Sequence, residues 1–280
     1  MTISMVNQPP LRDVIATYGL AADKRLGQHF LLDGNLTDRI ARAAGNLAEG
    51  TVIEIGPGPG GLTRSLLGAG AAHVVAIERD PRCIEALADL VTASDNRLTI
   101  IEDDALNANF QQLCPEAPRR IVSNLPYNVG TPLLIAWLKN VSAYHSFVLM
   151  FQKEVADRIV AEKGSSLYGR LSVMTQWLCH AERLFTVDKR AFTPPPKVMS
   201  AVVRLTPRTE ASTVPWHAME TVTKAAFGQR RKMLRQSLKA TISAQSLEAL
   251  EIDPKRRAET LSISEFVRIA VAWQAVQDNP

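Results

Sequence analysis

A chain of 280 residues, 46% hydrophobic and 21% charged, is long enough for one large globular domain and a smaller one. It has no apolar run long enough to span a bilayer, and its first ten residues lack a basic stretch followed by an apolar core. These features argue against a membrane span and a secretory signal, so a cytoplasmic protein without membrane contact is expected. Cys83, Cys114 and Cys179 have neither metal-ligand nor redox spacing; they read as small core residues in a reducing compartment, and no metal is expected. A net charge of +4 permits a polyanionic partner without demanding one.

In chain order, residues 11–18 have the pattern of a short helix closed by Gly19. Residues 24–33 then combine Lys24, Arg25, Gln28, His29, Phe30 and Leu31 ahead of a helix over about 35–46. Two readings of that segment stay open: a basic surface loop with Phe30 and Leu31 tucked into the core, or a strap across a pocket mouth that covers a cofactor and touches phosphate.

The next stretch organises the chain. Val52-Ile53-Glu54-Ile55 reads as a buried strand, Gly56-Pro57-Gly58-Pro59-Gly60-Gly61 as a tight turn, and residues 62–67 as the start of a helix. This is the first βα unit of a doubly wound α/β domain, whose ligands sit beyond the carboxyl ends of the strands. Gly56, Gly58 and Gly61 satisfy the dinucleotide pattern G-x-G-x-x-G. Phosphate loops work through backbone N–H groups, however, and Pro57 and Pro59 have none. The loop therefore suits a nucleoside without phosphate, such as S-adenosylmethionine, better than a pyrophosphate; a purely structural turn is the third possibility.

Residues 73–77 form a second strand ending at Glu78, about 20 residues past the glycines, where an acid grips ribose hydroxyls. A helix follows over 81–91, with Pro81 at its first position. A third strand over 97–101 ends in Glu102-Asp103-Asp104-Ala105, and the pattern does not choose which acid meets an adenine amine. Residues 119–123 form a fourth strand that runs into Asn124-Leu125-Pro126-Tyr127. There, Pro126 pushes Leu125 into an extended conformation. The Asn124 amide oxygen and the Leu125 carbonyl are acceptors for one –NH₂ group, and Tyr127 offers a π face for a base.

A helix is expected over 131–138, a strand over 146–151, a helix around 152–158, another over 169–178 and a strand over 182–187. Phe192-Thr193-Pro194-Pro195-Pro196-Lys197-Val198 is a stiff extended segment, either a spacer or a wall opposite Tyr127. The last strand covers 200–205. A polar linker near 207–215 separates an expected domain of residues 1–207 from a helical one of 208–280. In the latter a helix over 229–239 concentrates Arg230, Arg231, Lys232, Arg235 and Lys239, one sign of charge suited to binding phosphate.

Residues 24–32, residues 52–63, Asn124-Leu125-Pro126-Tyr127, Tyr168-Gly169-Arg170-Leu171-Ser172-Val173 and the triple-proline segment together resemble the KsgA family, the small-subunit ribosomal RNA adenine dimethyltransferases. The resemblance spans nearly the whole chain in family order, and part of the set is shared with the erythromycin-resistance methylases of large-subunit RNA. It implies a Rossmann-like class I methyltransferase domain with a small all-α C-terminal domain. S-adenosyl-L-methionine is the implied cofactor, lined by His29, Leu31, Gly56, Gly58, Glu78, Asp104, Ala105 and Asn124. Some relatives have Asn at the position of His29. Asn124, Leu125, Pro126, Tyr127 and Phe192 are the implied catalytic set, with Tyr127 and Phe192 on either side of the target base. Lys24, Arg25, Lys197 and the basic residues after 229 are the expected RNA contacts. The implied partner is 16S rRNA in an immature small ribosomal subunit, met by a monomer. A nicotinamide dehydrogenase, a DNA adenine methylase and a non-enzymatic ribosome assembly factor are the competing classes.

Overall fold

The computed structural model describes residues 8–20, 28–210 and 212–278. The chain forms two compact units, Met1–Ala156 with Glu182–Pro207, and Asp157–Ala181 with Arg208–Pro280.

The first unit opens with α1 (Leu11–Thr17), the two-residue strand β1 (Phe30–Leu31) and α2 (Gly34–Ala43). The Asp33 carboxylate caps α2 by accepting from the N–H groups of Asn35 and Leu36. Repeating βα units follow: β2 (Thr51–Ile55) with α3 (Gly61–Gly68), and β3 (His73–Glu78) with α4 (Pro81–Ala86) and α5 (Ala88–Ala93). Next come β4 (Leu98–Glu102) with α6 (Phe110–Leu113), β5 (Arg119–Asn124) with α7 (Gly130–Lys139), and β6 (Ser146–Gln152) with α8 (Lys153–Ile159). After an excursion into the second unit the chain returns through β7 (Cys179–Val187), β8 (Phe192–Thr193) and β9 (Ser200–Pro207).

Seven strands lie in the order β4-β3-β2-β5-β6-β9-β7. The first five are mutually parallel, and β9 runs antiparallel to β6. Every residue of β2 is buried, as are all but one of β3 and of β6. This explains their unbroken apolar character, because a parallel sheet is covered on both faces. From β2 the chain winds outward through β3 and β4, then crosses back to β5 and β6. The reversal falls between β2 and β5, where doubly wound sheets bind ligands. Ile53 pairs there with Ile121, so Gly56 and Asn124 each stand three residues further along adjacent strands.

The expected helix over 81–91 is two short helices that meet at Leu87. That side chain is fully buried against Gly60, where an added Cβ would lie 2.7 Å from Leu87 Cδ2. The pairing of Phe30 with Thr193 and of Leu31 with Phe192, in a small second sheet of β1 and β8, has no alternating pattern to announce it.

The second unit contains α9 (Arg170–Leu178), α10 (Trp216–Gly228), α11 (Leu234–Ser237), α12 (Ala244–Ala249) and α13 (Ile263–Asp278). Residues 157–181, which the expected boundaries place in the first domain, belong to the second compact unit. Val173, Met174 and Trp177 on α9 share one core with Met219, Val222, Phe266 and Ile269. The Thr223 hydroxyl points at Met174 Sδ, 3.5 Å away. The sequence shows that 169–178 is helical; it does not show which apolar face receives it. The basic stretch is also not one helix. α10 stops at Gly228, and Arg230, Arg231 and Lys232 lie in an exposed turn before the four-residue α11.

Candidate active site

The carboxyl ends of β2, β3, β4 and β5, together with residues 28–31, enclose a cleft holding about 1030 Å³ of space out to bulk solvent. His29, Leu31, Gly56, Gly58, Glu78, Asp104, Ala105, Asn124, Leu125, Pro126 and Tyr127, all singled out from the sequence, line it together. Phe192 does not line it. Lys24 and Arg25 lie outside the described residues, Lys197 is exposed on the first unit, and the remaining basic residues belong to the second unit.

The glycine loop is wired internally. The Gly56 N–H donates to the Ile77 carbonyl at 2.9 Å, the Gly60 N–H to the Pro57 carbonyl at 3.0 Å, and the Gly58 N–H to Glu78 Oε2 at 3.1 Å. With Pro57 and Pro59 contributing no N–H, none of these donors is left for a phosphate. Gly56, Gly58 and Gly60 have φ of +63°, +55° and +89°, which glycine adopts without strain. At Gly61 the constraint is contact: a Cβ would lie 2.7 Å from the Leu31 carbonyl oxygen. The loop and the N-terminal segment are thus fitted to each other. Phe30 and Leu31 are buried, and residues 28–31 line the cleft.

Glu78, at the end of β3, also accepts from the N–H groups of Arg79 and Asp80 through Oε1, both at 2.9 Å. Burial raises its pKa, and the bonds from Asp80, Gly58 and Arg79 oppose that rise. A carboxylate offers about four acceptor sites, and three are taken, which leaves room on Oε2 for a ribose hydroxyl. Of the three consecutive acids after β4, Asp103 and Asp104 reach the cleft and Glu102 does not. Asp104 accepts from the Leu106 N–H at 3.1 Å and pairs with Arg79 at 3.2 Å.

Asn124 ends β5. Its Nδ2 donates to the His29 carbonyl at 3.4 Å, and Oδ1 has no donor among the described residues. Beneath it, the Ser123 hydroxyl donates to the Ile55 carbonyl at 2.7 Å, tying the ends of β5 and β2 together. The Tyr127 hydroxyl is 2.5 Å from Ser200 Oγ, and burial raises its pKa while that bond lowers it. The His29 ring centroid lies 5.4 Å from that of Tyr127 and 6.5 Å from that of Phe192, the latter edge-on. Its Nδ1 is 2.8 Å from the Pro194 carbonyl, which makes the triple-proline segment a neighbour of the site rather than a spacer. Phe192 neighbours the cleft through this imidazole and through its strand partner Leu31.

Three participants escape the sequence patterns. Glu54 is an acid inside an apolar strand, a signal that is visible in the sequence once the strand is known to be buried. Arg79 holds Asp104, and Ser200 anchors Tyr127 from 73 residues away; no local pattern marks either. The donor set fits S-adenosylmethionine. Four acidic side chains, Glu54, Glu78, Asp103 and Asp104, line the cleft against one arginine, a set suited to a ligand with a positive sulfonium and no phosphate.

Comparison with known proteins gives the same direction. The family model for ribosomal RNA adenine dimethylase matches residues 19–274. The chain is 59% identical over 269 residues to the ribosomal RNA small subunit methyltransferase A of Rhodospirillum rubrum, covering 95% of this chain and 93% of that one. It is 55% identical over 273 residues to the protein of the same name from Paramagnetospirillum magneticum, covering 97% of each. Among solved structures, a dimethyladenosine transferase from Plasmodium falciparum superposes with a TM-score of 0.78 at 25% identity, over 88% of this chain and 98% of that one. The 23S rRNA methyltransferase ErmE does so at 0.69 and 26%, over 88% and 99%. A Rossmann-like sheet, an internally bonded glycine loop, the Asn124 to Tyr127 corner and these matches converge: the chain belongs to the ribosomal RNA adenine dimethylase family.

Proposed function

We propose that this protein transfers methyl groups from S-adenosylmethionine to N6 of two adjacent adenines in the 3′-terminal hairpin loop of 16S rRNA, each adenine receiving two. The observation that carries the reading is the orientation of Asn124. Its amide nitrogen is committed to the His29 carbonyl, so its amide oxygen is left as an acceptor at the end of β5, next to the Leu125 carbonyl.

The cofactor supplies a methyl group on a sulfonium. The chain supplies position. Glu78 holds the ribose, Asp104 with Ala105 borders the adenine, and Gly56 and Gly58 let the backbone approach. The target base is unstacked from its loop to enter the cleft. Its N6 lone pair is delocalised into the ring. Asn124 Oδ1 and the Leu125 carbonyl draw the two N–H bonds out of the ring plane and localise that pair toward the methyl. No general base is required before attack, because the amine becomes acidic once methylated and then loses one proton to solvent. Tyr127, pinned by Ser200, supplies the stacking face, and Pro126 fixes the corner between them. Catalysis of this kind rests on orientation and preorganised dipoles.

The partner is 16S rRNA within an immature small ribosomal subunit, the protein acts as a cytoplasmic monomer, and the second unit contributes phosphate contacts through Arg231, Lys232 and Arg235. Lys24, Arg25 and Lys197 are further phosphate contacts in this reading. The test offers methyl-labelled cofactor with small subunits lacking adenine dimethylation, with naked 16S rRNA and with DNA, followed by nucleoside analysis. Labelled dimethyladenosine from the subunits is expected. Label in DNA or in large-subunit RNA would overturn the assignment.

A further inference from the structure

Glu54 is 2% exposed, in the middle of an otherwise apolar strand, and it lines the cofactor cleft. Its partner is the Thr63 hydroxyl on the first turn of α3, which donates to Oε2 at 2.7 Å; Thr63 is itself fully buried. Among the described residues no arginine, lysine or histidine pairs with it. The nearest recorded charge is another acid, Glu78 from β3. On the neighbouring β5, Ser123 and Asn124 are uncharged. The other ionisable groups lining the cleft are His29, Arg79, Asp103, Asp104 and Tyr127; Arg79 is already engaged by Asp104 and the Tyr127 hydroxyl by Ser200.

A carboxylate taken out of water without a cation favours its neutral form. Burial pushes Glu54 up to about 8, opposed by the Thr63 hydrogen bond and assisted by the charge of Glu78. The cleft's ligand changes charge during its own turnover. S-adenosylmethionine has a fixed positive sulfonium, whereas the spent cofactor, S-adenosylhomocysteine, has a neutral thioether at the same atom; the ammonium and carboxylate of the amino-acid end are common to both, so the sulfur carries the whole difference in charge.

We infer that Glu54 is the group that senses this difference: it gives up its proton to solvent as S-adenosylmethionine enters, and takes one back when the ligand is S-adenosylhomocysteine. The carboxylate then faces a cation in the substrate complex and is a neutral acid in the product complex. Substrate is held more tightly than product by a residue that touches no reacting atom. Glu54 is therefore a positioning and specificity residue, and the two ligands differ in proton stoichiometry as well as in affinity. The inference rests on the S-adenosylmethionine reading of the cleft.

Isothermal titration calorimetry near pH 7, repeated in buffers of different ionisation enthalpy, reads the proton directly. Binding of S-adenosylmethionine is expected to release about one proton per site and S-adenosylhomocysteine markedly less. Sinefungin, which places an ammonium at the sulfonium position, is expected to follow the substrate. In Glu54→Gln the release disappears and the preference for substrate over product falls on the order of tenfold. Thr63→Val keeps the carboxyl but removes its donor, so release shifts to higher pH; this second variant keeps the test open where Glu54→Gln does not fold. Equal proton exchange with both natural ligands, or release that survives in Glu54→Gln, would overturn the inference. Failure of every ligand to bind would instead overturn the cofactor reading.

Discussion

The Tyr127 hydroxyl and Ser200 Oγ lie 2.5 Å apart, joining the corner after β5 to the first residue of β9. The bond leaves the tyrosine ring one orientation, and a base meets a face that is already set. Ser200→Ala is expected to lower kcat several-fold with cofactor affinity unchanged. Tyr127→Ala removes a stacking surface worth about 1–3 kcal/mol and is expected to lower kcat/KM by roughly ten- to a hundredfold. Steady-state kinetics with small subunits, beside calorimetric cofactor binding, separates the two quantities. An equal loss in both would assign Tyr127 to the cofactor instead.

Asn124→Ala removes the acceptor aimed at the amine. Loss of one preorganised dipole is expected to lower kcat by about 10²–10³-fold. Cofactor binding should fall far less, since Asn124 contributes one of many contacts there.

Gly61→Ala places a Cβ 2.7 Å from the Leu31 carbonyl oxygen, a backbone atom with little room to move. The expected result is displacement of residues 28–31, a loss of about 1–3 kcal/mol of stability and weaker cofactor binding. Chemical denaturation and calorimetry report each.

Glu54 also sets a sign for stability against pH. Its folded pKa, about 8, lies above the ordinary value of 4.5, so the folded state binds the extra proton. Its contribution is complete below about pH 4.5 and is lost as pH rises to about 8. Between those limits, denaturation of the ligand-free protein should show a downward trend that Glu54→Gln flattens. A trend of the same slope in the variant would assign it to other groups.

The basic turn separates into two roles. Arg230 donates to the Ser166 and Tyr168 carbonyls, both at 2.8 Å, so Arg230→Ala is expected to cost the second unit about 1 kcal/mol of stability. Arg231, Lys232 and Arg235 are exposed, and neutralising them should reduce the salt slope of RNA binding by about 0.7–0.9 per lost phosphate contact. An unchanged slope would make them bystander charge.

How much of this could be read beforehand follows from how local each signal is. The strands that carry the cleft are runs of buried β-branched residues, and the glycine loop, Glu78 and Asn124 stand at their ends; all of that is short-range and legible. Setting Glu102 apart from Asp103 and Asp104, which both line the cleft, needs the direction of each side chain as the strand ends, and only the fold supplies that. The host of α9 is a matter of which apolar face meets which, and sequence periodicity is silent on partners. The slot pictured between Tyr127 and Phe192 has the His29 imidazole beside both rings, because the pairing of Leu31 with Phe192 brings together segments 161 residues apart.

The loop that spends its amides on Ile77, Pro57 and Glu78 has a consequence for selectivity in a crowded solution. Phosphorylated nucleotides and dinucleotides share adenosine with S-adenosylmethionine and are abundant in any cell. A loop with free glycine amides would favour their phosphates; here the amides of Gly56, Gly58 and Gly60 are already bonded, so these three add no preference for a phosphorylated ligand over the sulfonium one.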